Sequence, residues 1–95
     1  MVTDEPEHPE LTERQKRTLE LIVRNYIQTG TPIGSKALVE HLKVSSATIR
    51  NEMSTLEAAG LITSPHTSAG RVPTEAGYRY FVQRLLSGGQ LSLIE

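Results

Sequence analysis

The sequence predicts a mainly α fold with one small β-hairpin, arranged as a winged helix-turn-helix. Three observations in the middle of the chain carry that reading. Residues 45–60 have the marks of a capped amphipathic helix. Residues 35–42 carry a second, shorter helical pattern, separated from it by a tight turn. Directly after it, Leu61, Ile62 and Thr63 and then Arg71 and Val72 read as two short strands joined by a turn-rich loop. A helix pair joined by a tight turn and followed at once by a hairpin is the order of that fold.

From the amino terminus, residues 1–10 mix acids with Pro6 and Pro9 and predict a disordered acidic tail. The winged-helix domain is expected over residues 11–87. Thr12 and Gln15 have the form of a capping box, opening a helix in which Leu19, Ile22, Val23, Tyr26 and Ile27 share one apolar face and Gly30 makes the stop. Thr31, Pro32, Ile33 and Gly34 are extended and should give a short first strand. Ser35 is then expected to cap a helix carrying Ala37, Leu38 and Leu42, with Lys43 and Val44 as the turn.

Ser45 is a good cap for the third helix because its hydroxyl can accept a hydrogen bond from a backbone N–H that has no partner within the helix. Gly60 supplies the left-handed residue that closes the far end. Between them Ile49, Met53 and Leu56 recur at i, i+4 and i+7, one buried stripe. In the hairpin, Pro65 to Gly70 form the loop, with Gly70 there for unusual backbone angles, and Pro73 is expected to stop the pairing. Thr74 caps a last helix with Tyr78, Phe81, Val82, Leu85 and Leu86 as apolar surface, and Gly77 weakens its first turn. Gly88 and Gly89 follow Ser87, so residues 88–95 read as a linker and the start of a further domain.

Composition bounds the function. Ninety-five residues make one small domain, and 37% apolar residues suffice for a core with little stability to spare. Zero cysteines excludes disulfides and thiolate metal sites, and three scattered histidines give no metal spacing, so neither metal nor cofactor is expected. No apolar run reaches the length of a membrane span or a secretory signal, which predicts a cytoplasmic protein without a membrane partner. The net charge of −1 hides an asymmetry. Residues 1–13 hold Asp4, Glu5, Glu7, Glu10 and Glu13 with no Lys or Arg, leaving ten bases against six acids and a net of +4 in the other 82 residues. That is a moderate charge signal for nucleic acid.

The third helix gives the signal its location. Opposite the apolar stripe, Ala47, Arg50, Asn51, Ser54 and Ala58 are short side chains apart from one arginine, with no acid among them. Small residues allow close approach to a groove, and Arg and Asn can make paired hydrogen bonds to guanine and adenine edges. Ser46 and Thr48 stand at the helix N-terminus, where phosphate is favoured. At the hairpin, Thr67 and Ser68 offer hydroxyls and Arg71 can reach phosphate or a narrow minor groove. The candidate DNA-binding residues are therefore Ser46, Ala47, Thr48, Arg50, Asn51, Ser54, Thr67, Ser68 and Arg71, facing double-stranded DNA.

Other readings were weighed on the same residues. His66 and Ser68 lie close in sequence, but nucleophilic catalysis needs an oriented base and no acid lies nearby before Glu75, so no enzyme activity is expected. A protein-interaction winged helix is compatible with the modest charge, while the acid-free face beside Arg71 argues against it. A regulatory amino-terminal module of an enzyme is the other rival, since winged helices are fused to many catalytic domains; these 95 residues could not perform that chemistry, so only downstream sequence would decide it.

Three separated motifs then carry a resemblance. Thr29-Gly30-Thr31-Pro32-Ile33-Gly34-Ser35, Ser45-Ser46-Ala47-Thr48-Ile49-Arg50-Asn51-Glu52-Met53 and His66-Thr67-Ser68-Ala69-Gly70-Arg71-Val72-Pro73-Thr74, with Gly77-Tyr78-Arg79-Tyr80, resemble the amino-terminal domain of HrcA, the bacterial heat-inducible transcription repressors. The resemblance covers residues 11–93 and implies a homodimeric repressor that binds an inverted-repeat operator (CIRCE) ahead of chaperone operons such as groE and dnaK. It also implies a larger carboxy-terminal part that dimerises and responds to the chaperonin GroEL. The chain departs from the family in a shorter segment over residues 40–44 and in residues 1–10, which precede the usual family start.

Overall fold

The computed structural model describes residues 10–65 and 70–87 of the chain. The predicted acidic tail, apart from Glu10, the predicted linker and the wing-tip residues His66, Thr67, Ser68 and Ala69 lie outside the described residues. The order is α1 (Glu13–Thr29), α2 (Ser35–Leu42), α3 (Ser46–Ala58), β1 (Ile62–Thr63), β2 (Val72–Pro73) and α4 (Glu75–Ser87). This is the predicted mainly α arrangement with an antiparallel two-stranded hairpin.

Three of the four helices, α1, α3 and α4, start where a side chain accepts from an N–H of the first turn. At α1 the capping box is complete: the Gln15 N–H donates to Thr12 Oγ1 at 3.1 Å and the Thr12 N–H donates to Gln15 Oε1 at 3.0 Å. Gly30, at φ 70°, closes the helix. At α2 the cap is Gly34 with extended dihedrals and no side-chain bond, so Ser35 is the first helical residue and not the predicted cap. The reason lies one residue upstream. Ile33 spends both its N–H and its C=O on Arg71, and glycine tolerates the cap position that follows. The predicted first strand is thus a single bridge, Ile33 to Arg71, and no longer.

Lys43, at φ 60°, turns the chain between α2 and α3, completing the helix-turn-helix. At α3 the Thr48 N–H donates to Ser45 Oγ at 3.1 Å. The far end is closed by Gly60 N–H to the Glu57 carbonyl and Leu61 N–H to the Leu56 carbonyl, both at 3.0 Å. With Gly60 at φ 80°, that is the double-bonded glycine stop, and it delivers buried Leu61 onto buried Leu56.

The hairpin pairs Ile62 with Pro73 and Thr63 with Val72. Pro73 therefore lies inside the strand it was expected to end. It fits because the ladder bond beyond it comes from the Thr74 N–H to the Leu61 carbonyl, so the missing proline N–H is not required there. Arg71, predicted to pair within the hairpin, instead pairs across to Ile33, which joins the wing to the α1–α2 connection. Thr74 caps α4 through the Gly77 N–H at 3.1 Å, while its own hydroxyl donates to the Gly60 carbonyl at 2.6 Å.

Leu19, Ile22 and Val23 of α1 form the centre of the core with Leu38, Ile49, Leu56, Leu61, Ile62 and Phe81. Three predicted core-facing positions are exposed instead: Ile27 at 59%, Val82 at 48% and Leu86 at 53%. They sit at the edges of their stripes, where no neighbouring element among the described residues covers them; Tyr26, Tyr78 and Leu85 are half-buried.

Candidate nucleic-acid interface

α3 presents two faces of opposite character. Ile49, Met53 and Leu56 are buried, while Ser46, Ala47, Arg50, Asn51, Ser54 and Ala58 are all exposed. The two acids of this helix leave that face in different ways. Glu52 is buried at 8% exposure and accepts from Arg14 Nη1 at 3.5 Å, which braces α3 against α1. Glu57 lies further along the helix and accepts from Arg71 Nε at 3.3 Å. Arg50 and Asn51 have no side-chain hydrogen bond among the described residues, so their donors and acceptors face solvent. Thr48 is half-buried, with its hydroxyl accepting from Ser45 Oγ at 3.0 Å, so it is a cap partner before it is a contact residue.

The wing base stands beside this helix. Arg71 exchanges two backbone hydrogen bonds with Ile33, at 3.1 and 2.9 Å, and its Nη1 donates to the Gly70 carbonyl at 3.4 Å. Gly70 stands hard against the α1–α2 connection. Its role is close approach: a Cβ there would stand 2.8 Å from Pro32 Cβ and 3.0 Å from the Ile33 carbonyl oxygen. The approach to Ile33 is fixed in turn from α1, where Asn25 Nδ2 donates to the Thr31 carbonyl at 2.9 Å.

Between the first turn of α2, the middle of α3 and the wing base lies a cavity of about 250 Å³, lined by Ser35, Arg50, Met53, Ser54 and Arg71. Three of the sequence-predicted residues, Arg50, Ser54 and Arg71, thus meet around one hollow. Ser46, Ala47 and Asn51 share the exposed side of α3, and Thr67 and Ser68 lie outside the described residues. The sequence reading missed Ser35 and Glu57. Glu57 was detectable in principle, since it follows Ser54 by three positions and Arg50 by seven and so shares their side of the helix. No group of three or more potential metal ligands occurs among the described residues, and no helix there is long and apolar enough to cross a membrane.

Residues 10–85 match the family model for the winged helix-turn-helix transcription repressor HrcA, DNA-binding domain. The chain belongs to the HrcA family. It is 54% identical over 93% of its length to the heat-inducible transcription repressor HrcA of Herpetosiphon aurantiacus, of which the match covers 25%. It is 56% identical over 87% of its length to the HrcA of Thermomicrobium roseum, covering 24% of that protein. A crystal structure of a protein described as hypothetical superposes with a TM-score of 0.76 at 46% identity, over 81% of this chain and 25% of the other. The chain therefore spans about a quarter of the length of the HrcA relatives it matches, and the matched quarter is the winged-helix domain.

Proposed function

We propose that this chain is the DNA-reading domain of a heat-inducible transcription repressor. The observation that carries the proposal is the outward face of α3 from Ser46 to Ser54, whose exposed residues include no acid and are small apart from Arg50 and Asn51, in a family whose matching domain is described as DNA-binding. In this reading the side of α3 from Ser46 to Ser54 enters the major groove. Arg50 and Asn51 read base edges, Ala47 allows close approach, and Ser46 and Thr48 lie near phosphate at the helix N-terminus. Arg71, with Thr67 and Ser68 of the wing, holds the flanking backbone or minor groove.

The operator is an inverted repeat of the CIRCE type ahead of groE and dnaK chaperone operons, and binding there represses transcription in the bacterial cytoplasm. An inverted repeat calls for two copies of the domain, supplied by a homodimer of the longer protein, with GroEL as modulator through the part beyond this domain. The proposal requires neither a cofactor nor catalysis.

Fluorescence anisotropy of this chain on the inverted-repeat duplex and on a scrambled duplex, at two salt concentrations, tests the reading. Preference for the repeat that persists at the higher salt is the expected result. Equal, steeply salt-sensitive binding to both duplexes would reduce the face to a basic surface, and no binding would favour a protein partner. A single domain on one half-site forgoes the effective-concentration gain of a linked pair, so the titration should run past roughly 10⁻⁴ M, the weak end of nonspecific DNA binding.

A further inference from the structure

We propose that Glu57 is a positioning residue for DNA binding: it holds Arg71 on the wall of the cavity that Ser35, Arg50 and Ser54 also line, so that Arg71 meets a backbone phosphate with its guanidinium already placed. The inference rests on the DNA-binding reading above and adds a residue to it. Glu57 Oε1 accepts from Arg71 Nε at 3.3 Å, with the two side chains 38% and 24% exposed. A second bond, Arg71 Nη1 to the Gly70 carbonyl, fixes the rotation of the guanidinium plane. The contact joins residues 14 apart in sequence, one on α3 and one at the wing base.

The location of the acid is what needs a cause. A partly exposed ion pair adds little to stability. A carboxylate beside a surface that receives a polyanion opposes that anion at every distance within the screening length. An acid placed at the rim of the Arg50 and Arg71 cavity therefore weakens binding by its charge and returns little in folding. Orientation resolves this. Arginine has many rotamers to lose, and a side chain ordered before the ligand arrives does not lose them on binding. Glu57 reaches Nε, at the base of the guanidinium, from the helix that also carries Arg50 and Ser54. It thereby fixes the distance between the wing arginine and the helix contacts, which is what a rigid backbone spacing demands of two phosphate or groove contacts made together.

The sign of one substitution tests the proposal. Removing the Glu57 charge would by electrostatics alone tighten DNA binding, whereas loss of positioning weakens it. Glu57→Ala, Arg71→Ala and the double variant of this chain are compared with the unchanged chain on the inverted-repeat duplex by anisotropy, with urea midpoints as the check on folding. Glu57→Ala is expected to bind roughly three- to tenfold more weakly, and this weakening is expected to be lost, or reversed to a slight tightening, when Arg71 is already alanine. Should Glu57→Ala lower the urea midpoint, Glu57→Met keeps the length of the side chain without an acceptor oxygen and is read in the same cycle. Unchanged or tighter binding by the Glu57 variants, with Arg71→Ala still weakened, would overturn the positioning role and leave the DNA-binding reading intact. An equal loss with and without Arg71 would also overturn it, because Glu57 would then act through something other than that arginine. If the unchanged chain itself shows no preference for the repeat, the DNA-binding reading fails first and takes this inference with it.

Discussion

Helix α3 and the wing base lie side by side on one surface, yet they are held there by different forces. α3 is placed by apolar burial, with Ile49 and Leu56 at 0% exposure and Met53 at 4%, and by a closed cap at each end. The wing base is placed by directional contacts: two backbone bonds to Ile33, a glycine pressed against Pro32 and Ile33, and the pair between Arg71 and Glu57. Burial is non-directional and belongs to the whole core, so the angle of α3 changes only if the core changes. A few polar contacts can open on their own, so the wing base can move while the core stays intact.

The largest expected effect follows from the first half of that contrast. Leu56→Ala removes a fully buried side chain that packs under both α3 and the glycine stop at Leu61, and should cost about 2–5 kcal/mol. Small domains have about 5 kcal/mol or little more in total, so urea unfolding followed by circular dichroism should show a midpoint shifted far down or no folded baseline. A midpoint near that of the unchanged chain would mean that α3 is not held by its buried stripe. Gly70→Ala probes the other half. Its Cβ would press on Pro32 and the Ile33 carbonyl, an overpacking cost of about 1–3 kcal/mol, and the strain is local to the wing base. Amide exchange should therefore quicken at the Ile33 and Arg71 N–H groups more than along α3. Uniform quickening would show that wing and core open together.

The same contrast explains which features the sequence revealed. Caps and stops are decided within four residues, so Thr12 with Gln15, Ser45 and Gly60 could be read directly. The buried stripe of α3 followed from period alone. What depended on distant neighbours did not. Gly77 read as a weak point in α4, but a Cβ there would overlap the Leu61 carbonyl oxygen, so the glycine is what lets α4 sit on the hairpin. Ile27, Val82 and Leu86 continue apolar patterns whose edges no other element among the described residues covers. Within the candidate site, the exposed face of α3 was recoverable because it is the complement of the stripe. The Glu57 to Arg71 contact was not, because it depends on where the wing folds back.

Smaller effects separate contact from scaffold on α3 itself. Arg50→Ala leaves the core untouched and should keep the urea midpoint, while costing about 1–3 kcal/mol on the inverted repeat and blurring discrimination at one base. Equal losses on specific and scrambled duplexes would make Arg50 a phosphate contact. Ser45→Ala does the converse. It removes the acceptor for the Thr48 N–H and the partner of its hydroxyl, so about 1 kcal/mol of stability should go, with binding lost only in proportion to the unfolded fraction. Melting and anisotropy on one preparation measure both. Binding that falls far beyond the stability loss would place Ser45 at the DNA.

Arg71→Ala has a small expected effect on folding and the clearest signature in binding. The backbone bonds to Ile33 do not involve the side chain, and a partly exposed ion pair contributes about 0–1 kcal/mol, so the midpoint should barely move. On DNA, the loss of one phosphate contact should lower the slope of log K against log salt by about 0.9. The affinity loss should exceed that of a simple contact, because the variant leaves the Glu57 carboxylate beside the DNA with no arginine to neutralise it. That excess should fade as salt screens the carboxylate, so the penalty is greatest at low ionic strength. A slope equal to that of the unchanged chain would remove the wing base from the interface and leave α3 as its sole protein surface.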